Sequence, residues 1–134
     1  RIIMKILGID YGTKRVGLAI SDESQTLARE LNILSPKEFW MQIEQLIETE
    51  GIERVIIGLP LNMSGEPTQS TAVAQEFYDE LNNRFIKTGR KIDVEFMDER
   101  LSSVMAESMG RKTDVDSLAA QIVLQNYLNK AKTN

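Results

Sequence analysis

Within Met4 to Ile20, MKILGIDYGTKRVGLAI, one apolar run (Ile6, Leu7, Ile9) stops at a carboxylate, Asp10. A second run, Val16 to Ile20, begins after the polar turn Gly12 to Arg15. This pattern predicts two antiparallel strands joined by a glycine-containing turn. The first strand is apolar on both faces, as in a central strand covered on both sides. A carboxylate at the end of such a strand is costly unless it is paired, hydrogen-bonded or bound to a metal. Gly8 and Gly12 flank Asp10 and would leave room for a ligand backbone or phosphate.

The rest of the chain reads as alternating strands and helices. Thr26 to Leu34 is a third strand, although Ala28 to Leu31 also contains helix formers. Ser35-Pro36-Lys37-Glu38 opens a helix, with Ser35 as N-cap, Pro36 at the first helical position and Glu38 completing a capping box. Phe39, Ile43, Leu46 and Ile47 recur at helical spacing, and Gly51 closes the helix. Arg54 to Leu59 is a strand whose apolar run, Val55-Ile56-Ile57, has Gly58 at its end, followed by a turn-rich loop, Pro60 to Pro67. A helix from about Thr68 to Ile86 would pack through Val73, Phe77, Leu81 and Phe85. Lys91 to Met97 is the last strand, and Leu101 to Met109 a short helix. Gly110-Arg111-Lys112 is a basic turn, and a final helix runs from Thr113 or Asp114 to about Ala131, packed through Ala119, Ala120, Val123 and Tyr127. The order is β-β-β-α-β-α-β-α-α, which implies a mixed sheet covered by helices. Phe39, Trp40, Phe77 and Phe85 read as core, with base stacking an alternative use of Trp40.

A chain of 134 residues is long enough for one domain with a substantial core, and we read residues 1–134 as a single domain. No apolar run reaches the roughly 20 residues of a membrane span, and no signal-peptide pattern opens the sequence. The expected compartment is the cytoplasm. Met4 reads as the natural start, and Arg1 to Ile3 either precede it or extend the first strand. There is no Cys and no His, which excludes disulfides, thiolate chemistry, Cys/His zinc sites and a His general base. Hydrolysis by this chain must rely on carboxylates, hydroxyls, Lys, Arg or a hard cation held by oxygen ligands, such as Mg²⁺. The net charge of −4 argues mildly against a large nucleic-acid footprint but leaves room for a local basic rim.

Carboxylates recur where elements begin or end: Asp10 after the first strand, Asp98 and Glu99 after the last, Asp114 and Asp116 at the final helix. If the strands are parallel neighbours, these positions gather at one sheet edge, where open α/β sheets build sites. Such a cluster repels itself unless a cation occupies it or some groups protonate. Mg²⁺ or Mn²⁺ resolves the conflict, and two ions roughly 3.5–4 Å apart suit in-line attack at phosphorus without a His base. Each acid also has a local reading. Asp10 fits turn chemistry, Asp116 fits a helix N-terminal carboxylate, and Asp98-Glu99-Arg100 fits a solvated charge cluster.

Four blocks in order give the chain a family resemblance: GIDYGTKRVGLAISD (Gly8 to Asp22), VIIGLPLNMSGEPTQS (Val55 to Ser70), DERLSS (Asp98 to Ser103) and VDSLAAQIVLQNYL (Val115 to Leu128). The sequence resembles the YqgF/RuvX family, resolvase-like nucleases of RNase H-like fold. The resemblance implies a mixed five-stranded α/β sheet, three antiparallel strands first and parallel strands after, flanked by helices. It implies metal-dependent phosphodiester cleavage, either in maturing the small-subunit ribosomal RNA precursor or in resolving branched DNA such as a Holliday junction. By position, Asp10, Glu99 and Asp116 would be the catalytic metal ligands, with Asp98 the rival of Glu99. Arg100 would hold a phosphate or orient the acids, and Lys14 and Arg15 would contact the nucleic-acid backbone. Asn62, Ser64 and Gly65 would line the groove or simply shape their turn. The basic segment before the final helix is shorter than in most family members. Only Arg111 and Lys112 remain there as phosphate contacts.

The leading reading is therefore a Mg²⁺- or Mn²⁺-dependent nuclease acting on RNA. A branched-DNA resolvase is the nearest variant and would need a two-fold homodimer, whereas a single RNA cut needs only a monomer. Two other readings stand behind it. The turn Gly-Ile-Asp-Tyr-Gly-Thr resembles the phosphate-binding turn of actin-type and sugar-kinase ATPases, but those enzymes close two such domains and this chain has length for one. A ribosome-assembly or nucleic-acid-binding module that kept the fold without catalysis is the non-enzymatic alternative.

Overall fold

The computed structural model describes residues 4–99 and the backbone of 115–132, with side chains from Leu118 to Ala131 in that last segment. The expected short helix at 101–109 and the basic turn at 110–112 lie outside the described residues.

The opening hairpin forms as its pattern requires. β1 (Lys5–Tyr11) pairs antiparallel with β2 (Val16–Ser21), and β2 pairs antiparallel with β3 (Ala28–Leu34). β1 runs one residue past the carboxylate, so Asp10 is a strand residue opposite Gly17. β4 (Ile52–Leu59) joins the other side of β1 in parallel, and β5 (Asp93–Asp98) joins β4 in parallel. The sheet order is β3-β2-β1-β4-β5. The first and last strands are thus not neighbours: β4 stands between them, and any meeting of Asp10 with Asp98 or Glu99 must occur across it.

Helix α1 (Pro36–Glu50) begins with the expected capping box, in which the Glu38 N–H donates to Ser35 Oγ at 3.1 Å and the Ser35 N–H donates to Glu38 Oε1 at 2.8 Å. Gly51 ends it at φ 68°, a left-handed conformation in which glycine carries no Cβ penalty. Helix α2 (Gln69–Lys87) buries Ala74, Phe77, Leu81 and Phe85. Ala74 takes the fully buried place that spacing assigned to Val73, which is only partly covered. Both helices cover one face of the sheet, with Phe39, Ile43, Ile47, Phe77, Leu81 and Phe85 against Leu7, Ile9, Val55, Ile57 and Val94. Trp40 belongs to this layer: it packs edge-on to Phe39, and the Arg84 guanidinium lies 4.7 Å from its ring centre.

Among the described residues, helix α3 (Val115–Lys132) is the one that covers the opposite face. Its contact is built from small residues, with Gly8, Ala19 and Ala28 on the sheet meeting Ala120 and Leu124 on the helix. Gln125 and Gln121 pin the helix to the start of β3, the Ala28 N–H donating to Gln125 Oε1 at 2.8 Å and Gln121 Nε2 donating to the Ala28 carbonyl at 3.1 Å. The Arg54 guanidinium, early in β4, donates to the Tyr127 hydroxyl. These contacts place the C-terminal half of α3 over the beginnings of β1 and β4, so the helix runs antiparallel to both and starts over their ends.

Gly8 decides how closely α3 approaches. A Cβ there would stand 2.8 Å from Leu124 Cβ and 3.2 Å from the Ala120 carbonyl oxygen. Gly8→Ala is therefore expected to destabilise the protein by about 1–3 kcal/mol, as overpacking of a tight core does. Urea unfolding measures this, and a change within experimental error would mean that α3 lies farther from β1 than described.

Candidate active site

Pleating assigns each acid to a face. In β1, Leu7 and Ile9 point into the α1–α2 layer and Ile6 into the α3 layer. Alternation then puts Asp10 on the α3 face with Ile6 and Gly8. In β4, Val55 and Ile57 face α1–α2 while Ile56 faces α3, so Gly58 shares the face of Asp10. The parallel register pairs Gly8 with Ile56 and Ile9 with Ile57, and one step further sets Asp10 level with Gly58.

The last strand separates its two acids. Val94 and Phe96 pack toward α1–α2 and Met97 toward α3. Asp98, paired with Leu59 at the end of β5, continues the Val94–Phe96 side and is exposed. Glu99 follows on the Met97 side, its N–H donating to the Leu59 carbonyl at 3.2 Å. Its carboxyl group lies directly over Gly58: a Cβ on that glycine would fall 2.6 Å from both Glu99 Cδ and Oε2. Glu99 thus reaches across β4 toward Asp10, and Asp98 lies on the other face of the sheet.

The third acid follows from the helix direction. Asp116 is one turn before Ala120 in α3, about 6 Å along the axis. Asp10 is two residues beyond Gly8 in β1, about 6.6 Å along the strand. Gly8 lies against α3 between Ala120 and Leu124, and the two elements run in opposite directions, so the start of α3, Asp116 included, lies toward the Asp10 end of β1. Among the described residues no group of three potential ligand side chains is assembled, and of the three candidates only Asp10 and Glu99 have described side chains.

The surroundings are polar and open. Asp10, Tyr11, Gly12, Thr13, Lys14 and Arg15 line a concavity of about 280 Å³. Lys14 and Arg15 are exposed beside Asp10 in the β1–β2 turn, which is closed by the Gly12 N–H donating to the Arg15 carbonyl at 2.8 Å. Tyr11 turns to the other face and stacks on Phe77 with ring centres 4.1 Å apart. Burial, helped by the charge of Glu80, pushes its hydroxyl above the ordinary tyrosine value, so Tyr11 stays neutral near pH 7 and is no base. The room expected at Gly8 and Gly12 themselves is taken by protein. Helix α3 fills the space at Gly8, and a Cβ at Gly12 would meet the Arg15 carbonyl at 2.9 Å.

The loop after β4 opens from the same sheet edge. Asn62 Oδ1 accepts from the Ser64 N–H at 3.0 Å and the Glu66 N–H at 2.9 Å, and Gly65 adopts φ 83°. The Asn62 carbonyl oxygen thus shapes the loop, and Ser64 is exposed on it. Thr71 Oγ1 donates to the Pro60 carbonyl and ties the loop to α2. Arg100, Arg111 and Lys112 lie outside the described residues. Sequence reasoning passed over Gly58 as a strand terminator. Its signal was present in the Val-Ile-Ile-Gly run, where a strand interior closes on a residue with no side chain.

Comparison with known proteins adds an independent line. The model of the family described as "RuvX: Holliday junction resolvase" matches residues 4–130. A Chloroflexus aurantiacus protein named "Putative pre-16S rRNA nuclease" is 38% identical over 141 residues, covering 96% of this chain and 89% of its own. A Maridesulfovibrio salexigens protein of the same name is 36% identical over 140 residues, covering 96% of this chain and all of its own. Among solved structures, T. thermophilus RuvC in complex with a Holliday junction substrate superposes with a TM-score of 0.58 over 96% of each chain, at 14% identity. That likeness shows the fold, which is RNase H-like. With its mixed five-stranded sheet and a family match over nearly its whole length, the chain belongs to the RuvX family.

Proposed function

We propose that this protein is a divalent-metal-dependent nuclease, a single RNase H-like domain that cleaves phosphodiester bonds in structured RNA. The substrate class is the precursor of small-subunit ribosomal RNA, as the names of its relatives suggest. The observation that carries the reading is the Glu99 carboxylate laid over Gly58 on the face of Asp10, at the sheet edge where α3 begins. The donor set fits a hard cation: with no Cys or His, the candidate ligands are oxygens, the preference of Mg²⁺ and Mn²⁺. In this reading Asp10, Glu99 and Asp116 hold the ion or ion pair, and Glu99 is favoured over Asp98 because only Glu99 shares the face of Asp10.

When bound, such ions lower the pKa of a nearby water and offset the charge of phosphoryl oxygens. The chain's own residues do the rest. Asp10 in β1 and Glu99 just after β5, strands of one sheet that flank β4, fix the distance between ligands. Lys14 and Arg15 take the phosphates of the incoming strand, and Arg100, Arg111 and Lys112 extend that contact. The loop held by Asn62, with Ser64 exposed on it, bounds the other side of the groove. Among the described residues no helix is long and apolar enough to cross a membrane, and we place the protein in the cytoplasm with its RNA.

Branched DNA is the second substrate reading, favoured by the family description and by the RuvC fold. Endpoint-mapped cleavage of a ribosomal RNA precursor and a four-way DNA junction, each with Mg²⁺ and Mn²⁺, separates the two. We expect metal-dependent cutting of the RNA by the wild type and a loss of at least about a hundredfold in Asp10→Asn, on the scale of removing a principal transition-state contact. Paired symmetric cuts in the junction by a dimer would transfer the assignment to DNA. No cutting of either by folded protein would favour the binding-module reading.

Phosphate contact by the first turn has its own signature. Lys14→Ala should weaken RNA binding across sequences and lower the slope of log K against log salt by about 0.7–0.9. An unchanged slope would remove Lys14 from the interface.

A further inference from the structure

We propose that Gly58 is a positioning residue of the metal site: its missing side chain is the seat in which the Glu99 carboxylate rests. This rests on the reading of Glu99 as a metal ligand. A glycine near the end of the middle strand of three parallel strands needs a reason, because glycine weakens strands. Backbone conformation does not supply it. The described glycines with positive φ are Gly51, Gly65 and Gly89, and Gly58 is not among them. Space does supply it. A Cβ at Gly58 would lie 2.6 Å from Glu99 Cδ, 2.6 Å from Oε2 and 2.9 Å from Oε1. The whole carboxyl group occupies the volume that any other residue's side chain would fill.

The two glycines on this face therefore do different work. Gly8 admits a helix, whose Cβ and carbonyl groups cannot yield. Gly58 admits the far end of a flexible side chain, which can. Substitution at Gly58 should leave the fold nearly untouched and displace the carboxylate, separating ligand placement from stability.

The test uses wild type, Gly58→Ala, Glu99→Gln and the double variant, with free Mn²⁺ followed by its EPR signal and thermal unfolding recorded in EDTA. Gly58→Ala is expected to unfold within a few degrees of wild type in EDTA. It should bind Mn²⁺ about 10- to 100-fold more weakly, the usual cost of losing support for a ligand. In the Glu99→Gln background the same substitution should weaken binding no further, because its effect passes through Glu99. Wild-type affinity in Gly58→Ala would overturn the assignment, as would an equal loss in both backgrounds. A wild type that takes up no Mn²⁺ would overturn the metal reading itself and this inference with it, an outcome distinct from binding that ignores Gly58.

Discussion

The close approach of α3 to β1 is the contact on which the site depends. It exists because the sheet offers Gly8, Ala19 and Ala28 where the opposite face offers Leu7, Ile9 and Leu18. Small side chains let the helix settle against the strands, and Gln121, Gln125 and Tyr127 fix its direction. A helix set farther out, or turned the other way, would carry the start of α3 away from the Asp10 end of β1. The α1–α2 face has no such demand and is filled by Phe39, Phe77 and Phe85, a thicker layer suited to stability. The two sides of one sheet are thus packed for different purposes.

Strand parity then sorts the acids. Because side chains alternate between faces, a one-residue step separates Asp98 from Glu99 by the thickness of the sheet. The intervening strand β4 could have kept Asp10 and Glu99 apart, since it lies between their strands. Its glycine at that level removes the obstacle. Carboxylates sharing one face at this edge would repel each other, and in the proposed reading a cation is their complement. The exposed Lys14 and Arg15 beside Asp10 place positive charge at the rim, so an acidic chain can still receive a phosphate backbone.

Much of this was legible in the sequence. The hairpin followed from two apolar runs around a Gly turn, and α1 followed from the Ser35-Pro36-Lys37-Glu38 cap, because such local rules need no knowledge of the rest of the fold. Sheet order was harder: nothing in Val55-Ile56-Ile57 says that this strand inserts between the first and the last. The choice between Asp98 and Glu99 was hidden for a related reason. In Val94-Glu95-Phe96-Met97 apolar residues sit on both faces, so alternation loses its sign, and parity became readable only from what Phe96 and Met97 touch. Gly8 was read as room for a ligand, but the space belongs to α3. A missing side chain announces a close approach without naming what approaches.

The central claim is that Asp10, Glu99 and Asp116 converge to hold divalent metal. The most direct measurement is anomalous scattering from a crystal of the protein soaked in Mn²⁺. The account predicts one or two Mn²⁺ peaks bounded by the carboxylates of Asp10, Glu99 and Asp116, on the α3 face of the sheet beside Gly58. A peak held by Asp98 on the other face, or full-occupancy Mn²⁺ elsewhere with none between these three acids, would contradict it.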